Sequence, residues 1–396
     1  MTDTLTEAPT VTGTSAWETP ERAALRKVVE DFTRAEIAPN MAQWEDDGEL
    51  PRQLHVDAAK AGFLAVGYPE SVGGEGGDAI DAAIVTEATL AAGGSGGLQA
   101  SLFTHGIALP HIIDSGNADL IDRYVRPTLA GQMIGSLGIT EPGGGSDVAG
   151  ITTKAVRDGD HYVVNGAKIF ITSGVRADFV TTAVRTGGPG HQGVSLLVID
   201  KDTPGFTVSR RLRKLGWHCS DTAELSFQDV RVPVGNLVGE ENSGFYQIAQ
   251  QFVSERLWLA IQGYATAERA LDLAVAYAKE RDTFGQPLIK RQVIRHKLVD
   301  MHARTAAAKA LTRQAVERST VASKSDPSMI LEAVVAKDQA VQCAEHVVHE
   351  AVQIFGGMGY MRETEVERHY RDARILGIGG GANEVMRDLA AKLLGY

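Results

Sequence analysis

A chain of 396 residues, 43% hydrophobic and 22% charged, has room for two or three domains and the ordinary balance of a globular protein. Its net charge of −11 argues against a nucleic-acid surface, which needs clustered Lys and Arg to neutralise phosphates. The cysteines are Cys219 and Cys343, with no CxxC pair and no His spacing suited to a metal, so the chain reads as reduced, cytoplasmic and metal-free; no apolar run approaches the roughly 20 residues of a membrane span.

The first stretch, Met1 to Trp17, is polar and Thr-rich and lacks a basic segment followed by an apolar core, so residues 1–18 are expected to form a disordered tail and not a signal peptide. Thr19-Pro20-Glu21 supplies an N-cap, a first-turn proline and an early acid for a helix running through Leu25, Val28, Val29 and Phe32. Helical spacing continues to about Ala130, broken at Gly62, at Pro69 to Gly74 and at Gly93 to Gly97, which predicts a helical domain over 19–133. From Ile134 the period changes to that of strands. His161 to Val164 and Ala167 to Thr172 flank Asn165-Gly166, a two-residue hairpin signal. Further short strands are predicted from Phe179, Val194, Phe206 and Ala223, ending near Pro233 in a β domain over 134–240. Patterned helical runs at about 244–281, 290–319, 327–355 and 382–395 complete a C-terminal bundle over 241–396. Segregated helix, strand and helix blocks give an α+β class with an inserted sheet domain and not a doubly wound parallel sheet. No GxGxxG stands between a strand and a helix, so no Rossmann nucleotide site is expected, and Arg210-Arg211-Leu212-Arg213-Lys214 reads as a solvated loop.

Two glycine-rich loops carry the chemistry: Ile139-Thr-Glu-Pro-Gly-Gly-Gly-Ser-Asp147 and Gln353-Ile-Phe-Gly-Gly-Met-Gly-Tyr360. Glycines let backbone approach a ligand and leave N–H groups free, with the hydroxyls of Thr140 and Ser146 beside them. Either loop alone reads as a turn. As a pair, with the second continuing through Glu363, Arg368 and Asp372, they resemble the flavin-site signatures of the acyl-CoA dehydrogenase family, and the resemblance spans nearly the whole chain. It implies a helical domain, a β-barrel-like domain and a helical bundle around FAD, in a homotetramer. Ile139 and Thr140 would then meet the isoalloxazine edge, Ser146 would lie between flavin and CoA, and Phe170 and Thr172 would cover one flavin face. Arg281, Phe284 and Gln292 match residues that reach the pyrophosphate and adenine of a neighbouring subunit's FAD. Gln353, Gly356 and Gly357 would grip that adenosine end, and Asn383 and Glu384 would contact cofactor at a helix start. On residue type alone, Phe170 reads as a core aromatic and Arg281 as a helix-end charge.

Taking an α-proton from a thioester requires a carboxylate above Cα. Many members of the family place it a few residues after Arg-Asp-Ala-Arg, where this chain has Gly380. A subset, including isovaleryl-CoA and long-chain dehydrogenases, places it on a third-domain helix just before an arginine, and Glu255-Arg256 matches that pattern. Helical spacing independently puts Glu255 on one face with Trp258, Leu259 and Gln262, in apolar surroundings that raise a carboxyl pKa; the bland alternative is a solvated glutamate. Arg256 would hold CoA phosphate or adjoining backbone, and the Gly380 N–H would join the FAD ribityl hydroxyl in binding the thioester carbonyl. The resemblance implies a trans-2-enoyl-CoA product and electrons passed to an electron-transferring flavoprotein. Gly93 to Leu98, with Ser101, Leu102 and Thr104, is expected to line the acyl cavity, and glycines that plug nothing favour a longer chain. Two rivals differ in what they need: a flavin monooxygenase of the same fold requires no α-proton base, and a non-catalytic nucleic-acid-associated relative would carry a basic domain.

Overall fold

The computed structural model describes residues 15–396, so the expected tail lies outside the described residues as far as residue 14. Its other end differs from expectation. Trp17 is buried: the Arg313 guanidinium lies 4.3 Å over its ring, and Nε1 donates to Glu317 Oε1 at 2.5 Å. An aromatic that large gains more from a core contact than a polar tail loses in ordering.

Helix α1 (Pro20–Phe32) starts as predicted, with Thr19 Oγ1 accepting from Arg22 N at 3.3 Å. Helix α2 (Ala79–Ala91) is held by a reciprocal cap between Asp78 and Asp81, and it buries most of its length between α1 and the C-terminal bundle. Helix α3 (Gly96–Leu102) follows, with Ser95 Oγ accepting from Leu98 N.

The middle domain is one seven-stranded sheet: β1 (Gly135–Gly138), β2 (Lys154–Asp158), β3 (His161–Thr172), β4 (Phe179–Arg185), β5 (Val194–Asp200), β6 (Phe206–Arg211) and β7 (Thr222–Pro233). Strands β1, β4, β2, β3, β7 and β6 are neighbours in that order, and β5 pairs with β4. The hairpin expected at Asn165-Gly166 is not there. The chain reverses instead at Gly159, between Asp158 and His161, and β3 runs straight through Asn165-Gly166 along the whole of β7. A register shift between Val164 and Gly166 absorbs the pair, Asn165 exchanges two hydrogen bonds with Asp229, and Gly166 lies against Thr153 where a Cβ would be 2.5 Å from Oγ1. Long-range pairing has overridden a local turn signal. A second shift between Lys168 and Ile171 holds Phe170 at φ 62°, which swings its ring off the sheet.

The C-terminal bundle consists of α4 (Gly244–Glu280), α5 (Gln292–Ser319), α6 (Pro327–Phe355), α7 (Glu365–Ala373) and α8 (Asn383–Leu394). Small residues let α4 and α6 approach: a Cβ on Gly263 would lie 3.0 Å from Ala340 O. Helix α7 has no separate sequence signal because its turns are polar, closed by Arg371 on Glu367 and by His369 and Arg269 on Glu365. No helix among the described residues is long and apolar enough to cross a membrane. Two buried polar junctions lock the domains together. Arg176 donates to Asp221 Oδ1 at 2.7 Å, to Leu50 O at 2.8 Å and to Ser101 Oγ, while Asp372 accepts from Gly97 N at 3.1 Å and Trp217 N at 2.6 Å.

Candidate active site

A cavity of about 1750 Å³ opens where the three domains meet. Pockets for one drug-sized ligand run to about 300–1,000 Å³, so this space accommodates more than one such molecule. Its walls include the 139–149 loop, Phe170, Thr172, Trp217, the segment Phe252 to Leu259 of α4, and the turn Gly379 to Ala382.

The loop is rigid at its root and open at its tip. Lys168, fully buried on β3, donates to Ile139 O and to Glu141 Oε1, each at 2.9 Å, and Glu141 also accepts from Thr152 N and Thr153 N. Beyond that anchor, Cβ atoms on Gly143 and Gly144 would meet nothing within 4 Å, so the space before the loop is free for a ligand. Thr140, Ser146 and Thr172, residues with hydroxyls, line the cavity together with Ile139, whose carbonyl is held by Lys168. Phe170 is 65% exposed and faces this space, so the reading of it as a core aromatic is corrected; the left-handed backbone at the second register shift is what turns it outward. The indole Nε1 of Trp217 is buried there without a partner, a donor that sequence spacing gave no reason to single out. An aromatic wall and hydroxyls around an open glycine loop suit a planar heteroaromatic ring with polar edges.

Glu255 and Gly380, far apart in sequence, meet. A Cβ built on Gly380 would sit 3.3 Å from Glu255 Oε1, so the two alternative positions for a base converge on one spot. That Cβ would also lie 2.4 Å from Leu259 Cδ1, and Gly380 has φ +62°, both of which favour glycine. Burial pushes the Glu255 carboxyl above the usual carboxylate range, against the opposing charges of Arg256 and Lys337. The Gly380 N–H has no protein acceptor among the described residues. Arg256 is buried beside the cavity with its guanidinium 5.5 Å from the Phe252 ring, and its Nε has no partner.

Other expected site residues lie elsewhere. Leu98 and Leu102 are buried in the N-terminal core, and Ser101 Oγ is taken by Arg176, so none of the three lines the cavity; Ala100, Phe103 and Thr104 do. The glycines before them serve packing. Cβ atoms on Gly96 and Gly97 would come within 2.7 Å of Trp217 Nε1 and 2.9 Å of Cys219 Sγ. Asn383 and Glu384 begin α8 just beyond the Gly379 turn but leave the wall to Ala382, Val385 and Met386. Arg281, Phe284, Gln292, Gln353, Gly356 and Gly357 form a separate group at the far end of the bundle. There Tyr277 stacks on Phe355, with centroids 4.2 Å apart and planes at 14°, and Phe284 is 98% exposed. At 1.5 Å per residue, Arg281 is roughly 39 Å along α4 from Glu255.

Three family models match in sequence: acyl-CoA dehydrogenase N-terminal domain over residues 19–132, middle domain over 136–230 and C-terminal domain over 242–395. A probable acyl-CoA dehydrogenase from Mycobacterium abscessus, known as a crystal structure, is 65% identical with a TM-score of 0.94, covering 96% of this chain and 100% of its own. The long-chain specific acyl-CoA dehydrogenase of Sus scrofa is 36% identical over 94% of this chain and 86% of its own length. The isobutyryl-CoA dehydrogenase of Bos taurus is 34% identical over 94% of this chain and 89% of its own. With three matching domains in order, and a cavity walled by all three, the chain belongs to the acyl-CoA dehydrogenase family and is an oxidoreductase acting on CH–CH bonds.

Proposed function

We propose that the protein binds FAD and oxidises a saturated acyl-CoA to its trans-2-enoyl-CoA, with Glu255 as the base that takes the α-proton. The observation that carries this reading is that the Glu255 carboxylate lies where a side chain at position 380 would begin, 3.3 Å from a Cβ built on Gly380. When bound, FAD supplies the acceptor for the β-hydride and a ribityl hydroxyl for the thioester carbonyl. The free N–H of Gly380 donates to the same carbonyl, stabilising the negative charge that develops as the α-proton leaves. Glu255 sits in partly buried surroundings, so its carboxylate is poorly solvated and a better proton acceptor than one in water. Phe170 and Thr172 would cover one face of the flavin, Thr140 would hold its edge, and Ser146 would lie between flavin and CoA; all four line the cavity. Arg256 fixes CoA phosphate or neighbouring backbone. The electrons leave to an electron-transferring flavoprotein, and the protein works in the cytoplasm.

Because Glu255 must be ionised to act, flavin reduction is expected to rise with pH through the elevated Glu255 pKa and to fade below it. Stopped-flow reduction rates across pH check this; an acid limb at the ordinary carboxylate position would remove the burial argument.

The reading extends to assembly through the group at the far end of the bundle. Arg281 lies roughly 39 Å along α4 from Glu255, and Phe284, Gln353, Gly356 and Gly357 group with it near the Tyr277–Phe355 stack, so they are assigned to the adenosine end of a cofactor in a neighbouring subunit of a tetramer. Arg281→Ala is then expected to weaken FAD retention and oligomer stability together. A fully flavinated monomer in analytical ultracentrifugation would contradict this.

The substrate is assigned to acyl chains branched near the thioester or longer than about eight carbons, with each buried methylene adding up to ~0.8 kcal/mol until the cavity is full. The Gly93 to Gly97 run no longer supports the longer chain. Support comes instead from the small side chains Ala79, Ala82, Ala83 and Thr86 that α2 gives to the cavity wall. Product analysis and kcat/KM over a chain-length series with an artificial electron acceptor test the assignment. Butyryl-CoA is expected to be poor, and an optimum on it would defeat the class.

A further inference from the structure

Lys337, on α6, is 0% exposed, and a lysine is almost never fully buried unless it is paired. Its Nζ donates to Gly379 O and to Gly381 O, each at 2.6 Å. These carbonyls flank Gly380. In a trans peptide the C=O and the next N–H point in opposite directions. Fixing Gly379 O on α6 therefore turns the Gly380 N–H away from α6, and that N–H has no protein acceptor among the described residues. Beyond the bond from Gly379 N to Ile375 O at 2.8 Å, the turn has no side chains to fix it, since Gly379, Gly380 and Gly381 carry none and Gly380 and Gly381 both have positive φ. The ammonium also acts on Glu255. Lys337 pulls the Glu255 carboxyl down while burial pushes Lys337 itself down to about 8; the other charged groups acting on it are Arg256 from α4 and Asp338 from its own helix.

We propose that Lys337 is a positioning residue for the dehydrogenation: it clamps the Gly379–Gly381 turn so that the Gly380 N–H is aimed at the thioester carbonyl, and it sets a positive charge beside Glu255. The inference rests on the reading of Glu255 and Gly380 given above. No proton or electron passes through Lys337, so its removal should change alignment and charge while the chemistry of the step stays the same.

The test uses flavinated Lys337→Met, which keeps the length but loses the donors and charge, and Lys337→Gln, which keeps a shorter neutral donor. In Lys337→Met, flavin reduction by a saturated acyl-CoA is expected to slow about tenfold to a hundredfold, with kcat affected more than KM. The acid limb of its pH profile should move up by about one unit as the cation beside Glu255 is lost. The infrared carbonyl stretch of bound trans-2-enoyl-CoA should return towards its value in water, a readout independent of turnover. Lys337→Gln should recover part of the rate and carbonyl polarisation while keeping the shifted limb; if the Met variant does not retain flavin, the Gln variant carries the test by its limb alone. A wild-type rate and limb, or a slowed variant whose limb and carbonyl stretch stay put, would overturn the proposal. Wild-type protein that no acyl-CoA reduces would instead sink the dehydrogenase reading on which it rests.

Discussion

Glu255→Gln is expected to keep its flavin and its affinity for acyl-CoA while losing flavin reduction by at least about a hundredfold, the usual minimum for a missing general base. The substitution keeps size and hydrogen-bonding capacity at a partly buried position and removes only the ability to take a proton. Near-normal reduction by this variant would take Glu255 out of the mechanism. Geometry adds a companion. In an Glu255→Gly background, Gly380→Glu places a carboxylate on the same spot from the other side, because the two positions converge there. Recovery should be partial. A side chain at φ +62° is strained, and its Cβ would lie 2.4 Å from Leu259 Cδ1, so adding Leu259→Ala should improve the rescue. Intact flavin with no recovery in either background would mean that the Gly379 turn does not present position 380 to the α-carbon.

The largest expected loss of stability belongs to Arg176→Met. Arg176 and Asp221 are both buried, and the guanidinium also satisfies Leu50 O and Ser101 Oγ, joining the β domain to the N-terminal helices. Removing it leaves a buried carboxylate without its cation, which costs about 3–5 kcal/mol. Replacing Lys27 by Ala, which breaks an exposed pair with Asp31, should cost less than about 1 kcal/mol. Thermal unfolding of the flavinated proteins compares the two. Equal Tm values would show that the Arg176 junction does not hold the domains together.

The long helices were legible because apolar periodicity over many turns leaves little choice, and Thr19-Pro20 marks the start of α1 by chemistry confined to one turn. Misreadings arose where a distant strand or helix decides the outcome. Asn165-Gly166 has the composition of a hairpin turn but lies against β7 over its full length. The glycines at 96 and 97 read as open space, yet they are packing points against Trp217 and Cys219, more than a hundred residues later in the chain. That Glu255 faces partly apolar surroundings was legible because the spacing of its helical face is local; that it lines the cavity opposite Gly380 is a property of the folded bundle. Lys168 and Lys337 gave no signal, since a lysine is ordinarily a surface residue and the carbonyls that hold these two come from loops remote in sequence.

Anaerobic mixing of the purified, flavinated protein with a series of saturated acyl-CoAs, following the visible flavin band, tests the central claim most directly. The band should bleach within the mixing series for branched or longer chains in wild-type protein, with trans-2-enoyl-CoA formed in equal amount to reduced flavin, and it should persist in Glu255→Gln. A flavinated wild-type protein that no acyl-CoA bleaches, or a Glu255→Gln variant that bleaches as fast as wild type, would contradict it.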